Sequence, residues 1–291
     1  MRKQAENRIL FWIYLAPALI AFTLTVVIPF LIGFYYSLTD WNAISSAFSF
    51  LGFDNFIRAF TDEGLRNSFF HSIQYTILSV ILINAVGLSL AILVSKPFKG
   101  SNLLRGAFFV PNMIGGLILG FLWQYVFVKA FPAIADIFFL GFLGVDWIGD
   151  KQYALFALVI VSTWQFAGYA MVIYIAALQS IPKSMIEAAD MEGASGLNKF
   201  VYITLPMIVP AFTINIFLTL TNAFKQFDTN LSLTNGGPHK STELLALHIY
   251  NEAFGYNDFG YGQAQAVLFF ILISIVAIIQ VRLTKKREVE L

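Results

Sequence analysis

The sequence predicts an all-α membrane protein with six transmembrane helices, and three observations carry that prediction. Charge is scarce: 18 Lys+Arg and 17 Asp+Glu among 291 residues make 12% of the chain, where a soluble domain carries about 25%. Hydrophobic residues make up 58%, and the mean hydropathy is +0.73. The charges are also segregated, leaving six runs without Asp, Glu, Lys or Arg at 9–39, 67–95, 106–128, 152–182, 200–224 and 259–281. A helix needs about 20 apolar residues to cross a hydrocarbon core of about 30 Å, and every run is longer. A soluble enzyme, a nucleic-acid binder and a disordered chain are thereby excluded.

The first run follows Met1-Arg2-Lys3. It exceeds a signal-peptide core of 7–15 residues and has no small-residue cleavage site close behind, so it reads as a retained first helix. The connection 40–66 carries Trp41-Asn42 and Gly52-Phe53-Asp54-Asn55-Phe56. In the third run, Gly116-x-x-x-Gly120 reads as a helix-packing surface. The connection 129–151 holds a second apolar patch at 137–145, too short to span and read as an interfacial helix. Asn235-Gly236-Gly237-Pro238 reads as a turn. The expected organisation is a helix with its external loop over 1–66, a five-helix core over 67–281 and a basic tail over 282–291.

Six spans put both termini on one side. Arg2, Lys3 and Arg8 precede the first run, Lys96, Lys99 and Arg105 fill the second connection, and Arg282, Lys285, Lys286 and Arg287 follow the last. Placing these in the cytoplasm satisfies the positive-inside rule. Only the fourth connection resists, because Lys183 and Lys199 are outnumbered by Glu187, Asp190 and Glu192. That exception asks for another explanation.

The spans also exclude mechanisms. Ion-coupled transporters hold ionisable groups inside the membrane, and these spans contain no Asp, Glu, Lys or Arg. His71, close to a membrane edge, reads as an interfacial residue. The polar residues that remain are neutral, among them Asn84, Gln124, Ser162, Gln165 and Asn215, and suit an uncharged polar solute or hydrogen bonds between helices. No catalytic constellation, metal site or cysteine is present. Gly237-Pro238-His239-Lys240-Ser241 has the wrong spacing for a phosphate-binding loop. Any ATP that drives this chain is hydrolysed by another polypeptide.

The exceptional loop runs from Ile181-Pro182-Lys183-Ser184 to Gly193. Pro182 suits the first turn of a helix, Ser184 and Glu187 have capping-box spacing, and Gly193 suits a left-handed stop. Met185, Ala188 and Ala189 share one face, which reads as a docking surface or as a loop folded back on its own helix ends. Glu187-Ala188-Ala189, Gly193 and, further on, Ile203-Thr204-Leu205-Pro206 resemble the EAA signature of binding-protein-dependent ABC importer permeases. The resemblance implies a type I ABC importer permease fold whose cytoplasmic coupling helix enters a cleft of an ATPase subunit. Glu187 would make the polar contact, Ala188 and Ala189 would permit close approach, and Gly193 would supply the bend.

Further pieces resemble the carbohydrate branch, which holds the maltose and glycerol-phosphate permeases, and within it the first-type subunit. They include Pro17-Ala18-Leu19, Tyr36-Ser37-Leu38-Thr39-Asp40-Trp41, Leu178-Gln179-Ser180-Ile181-Pro182, Thr234-Asn235-Gly236-Gly237-Pro238 and Gly260-Tyr261-Gly262. In the fourth run Ser162, Gln165, Phe166 and Tyr169 share a helical face, as do Thr219, Asn222 and Gln226 in and just beyond the fifth. Phe108 and Asn112 flank Pro111, where a broken helix would free backbone groups. The matching stretches of maltose-type permeases line the sugar site; interhelical hydrogen bonds are the competing role. Asn112 near one end of its run and Gln226 past the other end of its own are hard to place together. The resemblance thus implies a sugar importer subunit in a bacterial cytoplasmic membrane. Its partners would be a second permease, two cytoplasmic ATPase subunits and an extracytoplasmic sugar-binding protein. No cofactor is expected on this chain; ATP and Mg²⁺ belong to the ATPases. A permease for glycerol phosphate or peptide, or a self-sufficient channel, is the alternative.

Overall fold

The structure, a computed structural model, describes residues 2–42, 44–45, 48–96 and 98–285. Lys286 and Arg287 of the expected basic tail lie outside the described residues. Among those described, the regular structure is helical, apart from an isolated bridge between Thr39 and Phe50. Helices α1 (Arg2–Phe22) and α2 (Ile28–Tyr36) run on through a π turn and supply the apolar span Leu10–Tyr36. Pro29 sits in the first turn of α2, where its missing N–H is tolerated. The short α3 (Asp54–Thr61) precedes α4 (Glu63–Ser95), the second span. Helix α5 (Ser101–Phe109) and a 3₁₀ turn lead to α6 (Gly116–Tyr125) and α7 (Phe131–Phe138), joined through a π turn as the span Gly116–Phe138. The fourth span is α8 (Lys151–Ser180), followed by the exposed α9 (Lys183–Met191). Helices α10 (Gly196–Lys199), α11 (Leu205–Met207) and α12 (Val209–Phe224) form the fifth. After the short α13 (Asp228–Leu233) and α14 (Leu245–Tyr250) comes the last span, α15 (Phe259–Lys285).

Five of these spans are continuous, and the sixth is a pair of segments, Gly196–Met207 and Val209–Phe224, bent by 67°. The bend has a local cause. Pro210 offers no N–H and its ring crowds the carbonyl one turn earlier, and Ile208 between the segments leaves helical geometry. Two sequence expectations need correction. The third span does not occupy 106–128: Pro111 and Gly115 interrupt the helix, Ile114 is extended, and the span is displaced to Gly116–Phe138 with Lys129 and Asp136 in its last turns. The patch 137–145 is not an interfacial helix. Phe139 takes a left-handed conformation and ends α7, and the residues after it turn repeatedly around Gly141 and Gly144.

The chain divides into two compact units. One combines Met1–Asp62 with Ile249–Phe270, and in it three motifs with no evident common purpose converge. Buried Asn55 donates to the carbonyls of Ser37 (3.0 Å) and Thr39 (2.8 Å). The Gly260 N–H donates to the Trp41 carbonyl at 2.8 Å, and a methyl group on Gly260 would collide with the Thr39 carbonyl. Trp41 stacks on Tyr36 at 4.2 Å. Arg58 pairs with Asp258 at 2.6 Å and lies 3.7 Å over the Tyr261 ring. Partial burial pulls the Arg58 pKa down, but the hydrogen bond and charge of Asp258 hold it above its ordinary value.

The other unit, Glu63–His248 with Ile271–Leu291, is organised around α8, whose Ala157, Leu158, Val161, Ala170 and Tyr174 are buried. Small residues let its neighbours approach. A Cβ on Gly87 of α4 would lie 2.8 Å from Ala170 Cβ and 3.0 Å from the Ala167 carbonyl. Gly116 and Gly120 do serve packing: they face Asp228, Thr229 and Ser232 of the short α13, and a Cβ on either would overlap that helix. The turn after α13 is held by Asn230, which donates to the Thr242 carbonyl (2.8 Å) and accepts from the Leu244 N–H (3.1 Å).

Asn55→Ala removes the donor from two buried carbonyls. Leaving them unsatisfied costs about 1–3 kcal/mol, so thermal unfolding of the purified chain in detergent is expected at lower temperature than for wild type. Asn55→Asp, which restores shape without the donor, is expected to fall with it.

Candidate translocation cleft and coupling helix

Helices α4, α8 and α12 enclose a narrow, nearly closed cleft with room for only about 10 Å³. Tyr75, Ser79 and Ile83 recur every four residues along α4, one helical face. From α8 come Ser162 and Phe166, and from α12 and the residues after it come Thr219, Asn222 and Gln226. Five of the nine residues expected at a sugar site are therefore brought together here. They carry no formal charge, and they combine hydroxyl and amide groups with the Phe166 ring, the surface chemistry that suits a neutral polyol.

The five are not equally available. The Ser162 hydroxyl shares a short hydrogen bond with the Tyr75 hydroxyl, and Thr219 Oγ1 accepts from Asn84 Nδ2 at 3.1 Å. Asn84 Oδ1 in turn accepts from the Tyr174 hydroxyl at 2.7 Å. These bonds tie α4, α8 and α12 together, the competing role that neutral intramembrane polar residues play. Phe166, Asn222 and Gln226 retain more freedom: Asn222 is exposed, and the other two are half-buried.

The remaining four lie elsewhere. Gln165 is buried and donates to the Ile114 carbonyl at 3.0 Å, satisfying a group freed by the break after Pro111. Tyr169, three residues beyond Phe166, is 36% exposed. Phe108 faces a separate, apolar groove against Trp164 and Gly168, and half-buried Asn112 is absent from the cleft lining. Asn112 and Gln226 thus do not share the cleft. Tyr75 and Ser79 were not singled out by the sequence reading, because a lone Tyr or Ser in an apolar run has no signature; their four-residue spacing with Ile83 is the signal that was there.

The loop after α8 is the helix α9. Ile181 before Pro182 is extended, as a residue preceding proline favours, and Pro182 is the N-cap rather than part of the first turn. Ser184 is therefore inside the helix, and the expected capping box does not form. At the other end Gly193 has φ +79°. Its N–H donates to the Asp190 carbonyl (3.1 Å) and that of Ala194 to the Ala189 carbonyl (2.9 Å), a Schellman stop. Glu187 and Ala188 are exposed, Met185 is 38% exposed, and Ala189 alone of the apolar face is buried. Lys199 pairs with Asp190, so Glu187 and Glu192 are left to give the outer surface its acidity.

Comparisons with known proteins agree with this architecture. Residues 83–289 match the family model described as "Binding-protein-dependent transport system inner membrane component". The "Probable starch degradation products transport system permease protein" of Thermoanaerobacterium thermosulfurigenes is 45% identical over 294 residues, covering 100% of both chains. The "Multiple sugar-binding transport system permease protein" of Streptococcus mutans is 30% identical over 287 residues, covering 99% of each. A crystal structure of a bacterial ABC transporter involved in the import of the acidic polysaccharide alginate superposes with a TM-score of 0.81 over 98% of both chains. At 18% identity that likeness is one of fold.

The hydrogen-bond chain gives a direct test. Asn84→Ala deprives Thr219 and the buried Tyr174 hydroxyl of a partner, at a cost of about 0.6–2 kcal/mol by membrane-protein precedent. A double-mutant cycle with Thr219→Val, read by reversible unfolding in detergent, is expected to give a non-zero coupling energy. Additivity would mean that the 3.1 Å contact contributes nothing.

Proposed function

We propose a function that starts from family: this chain belongs to the binding-protein-dependent transport system inner membrane components, and within them it is the sugar-conducting permease subunit of an ATP-driven bacterial importer. It is a multi-pass transport subunit rather than an enzyme. The observation that carries the substrate class is the uncharged cleft of Ser162, Phe166, Thr219, Asn222 and Gln226. A phosphate ester or an acidic sugar would want a cation there. The relative at 45% identity is named for starch degradation products, so starch-derived oligosaccharides are the first substrates to test.

In this reading both termini face the cytoplasm. A second permease, two ATPases and an extracytoplasmic sugar-binding protein complete the importer, with ATP and Mg²⁺ on the ATPases. Helix α9, with Glu187 and Ala188 outward, is the part the ATPase grips. Its place in the chain explains how force reaches substrate. It lies between α8, which carries Ser162 and Phe166, and the bent α10–α12 segment, which carries Thr219 and Asn222. A displacement of α9 therefore moves two walls of the cleft relative to α4. The cleft must widen, since about 10 Å³, little more than the room for one water, is far below the roughly 300–1,000 Å³ of ordinary small-molecule sites.

Two measurements on the assembled importer separate the roles. Asn222→Ala or Gln226→Ala removes one neutral hydrogen bond of about 0.5–1.5 kcal/mol, so half-saturation for sugar uptake should rise about two- to tenfold while basal ATPase activity persists. Gly193→Pro cannot hold φ +79° because proline fixes φ near −65°. It should abolish uptake while the binding protein still captures sugar. Wild-type uptake by Gly193→Pro would refute the role of α9.

A further inference from the structure

The face of α8 roughly opposite the cleft borders a second hollow, a groove of about 560 Å³ open to the side. Leu82, Val86 and Leu90 line it from α4, Ala107 and Phe108 from α5, and Trp164 from α8. Its chemistry differs from that of the cleft. The lining is aliphatic and aromatic, and the one hydroxyl, Thr163, is committed to the Val159 carbonyl of its own helix at 2.7 Å. Such a groove has nothing to offer a sugar.

The groove has a length and a charged end. Leu82 to Leu90 spans about 12 Å of helix at 1.5 Å per residue, most of one leaflet of a hydrocarbon core about 30 Å thick. One turn beyond Leu90, the carbonyls of Val94 and Ser95 accept from Arg105 at 2.6–3.2 Å, and Ala107 follows two residues later. The end of the groove thus opens at the connection holding Lys96, Lys99 and Arg105. No acidic residue occurs between Glu63 and Asp136 to neutralise that cluster. On the same connection Phe98 is 47% and Leu103 78% exposed, an apolar and basic surface suited to a membrane interface.

We propose that this groove is a binding site for an anionic phospholipid, with one acyl chain along Leu82–Leu90 and Trp164 and the phosphate at Lys96 and Lys99. The apolar walls select a hydrocarbon chain, and the unneutralised cations select the headgroup charge. The site depends on the membrane-spanning fold and not on the sugar assignment, so it stands or falls separately from the transport reading.

Trp164 reports occupancy. The full chain is placed in phosphatidylcholine vesicles containing either dibrominated phosphatidylglycerol or dibrominated phosphatidylcholine, and the signal of a Trp164→Phe variant is subtracted. The expected result is quenching of Trp164 with about fivefold or greater preference for the glycerol lipid. In Lys96→Gln/Lys99→Gln that preference should approach parity, with quenching by the choline lipid unchanged. Ala107→Phe, which fills the groove from an exposed position, should lose most quenching by either lipid. Equal quenching by both lipids would reduce the groove to ordinary boundary surface and overturn the proposal. So would loss of Trp164 quenching in the assembled importer, which would give the groove to a partner subunit.

Discussion

The close approach of α4 and α8 is the contact on which the larger unit depends. Gly87 has no side chain to hold the helices apart, and it meets the Ala170 methyl group and the Ala167 carbonyl directly. In a bilayer no hydrophobic force drives one apolar helix onto another, so association rests on contact area and on hydrogen bonds that lipid cannot supply. Both are present along one seam. Tyr75 bonds Ser162 toward one end, and Asn84 bonds Tyr174 toward the other. Thr219 joins α12 to the same chain of bonds through Asn84.

That seam also determines what each face of α8 can do. With α4 pinned along one side, Ser162 and Phe166 face a cleft whose surface is polar and uncharged. Thr163, Trp164 and Gly168, pointing roughly the other way, face a groove that is almost wholly apolar. One helix therefore separates two surfaces of different chemistry, one suited to a solute and the other to hydrocarbon. The bonds that hold the seam join neutral side chains, so no charge is desolvated to make them.

In helix α9 a weak electrostatic signal of the sequence coincides with a sharply bounded structural element. Its acidic side chains set it apart from the purely basic second connection and the basic end of the last span. The extended Ile181–Pro182 pair and the left-handed Gly193 give it sharp ends. Its short, defined body stands between the fourth and fifth spans.

The sequence by itself determined the solvent, the number of crossings, the exceptional loop and the family, because each is encoded locally. Charge-free runs longer than a bilayer need no partner to be recognised, and a glycine needing positive φ is visible as Gly193. It could not place the third span, whose start depended on whether Pro111 and Gly115 or the charges at Arg105 and Lys129 would mark its limits. Nor could it tell which polar residues face solute. Ser162 and Gln165 lie on one helical face, yet Ser162 is drawn to Tyr75 and Gln165 to the Ile114 carbonyl, distant groups brought near only by folding. Asn55, Trp41 and Gly260 likewise looked like unrelated loop motifs until Asn55 and Gly260 were seen to satisfy the carbonyls of one turn. Hydropathy is additive along a chain and survives in the sequence. Hydrogen-bond satisfaction is a pairwise property between distant residues, and only the tertiary structure decides it.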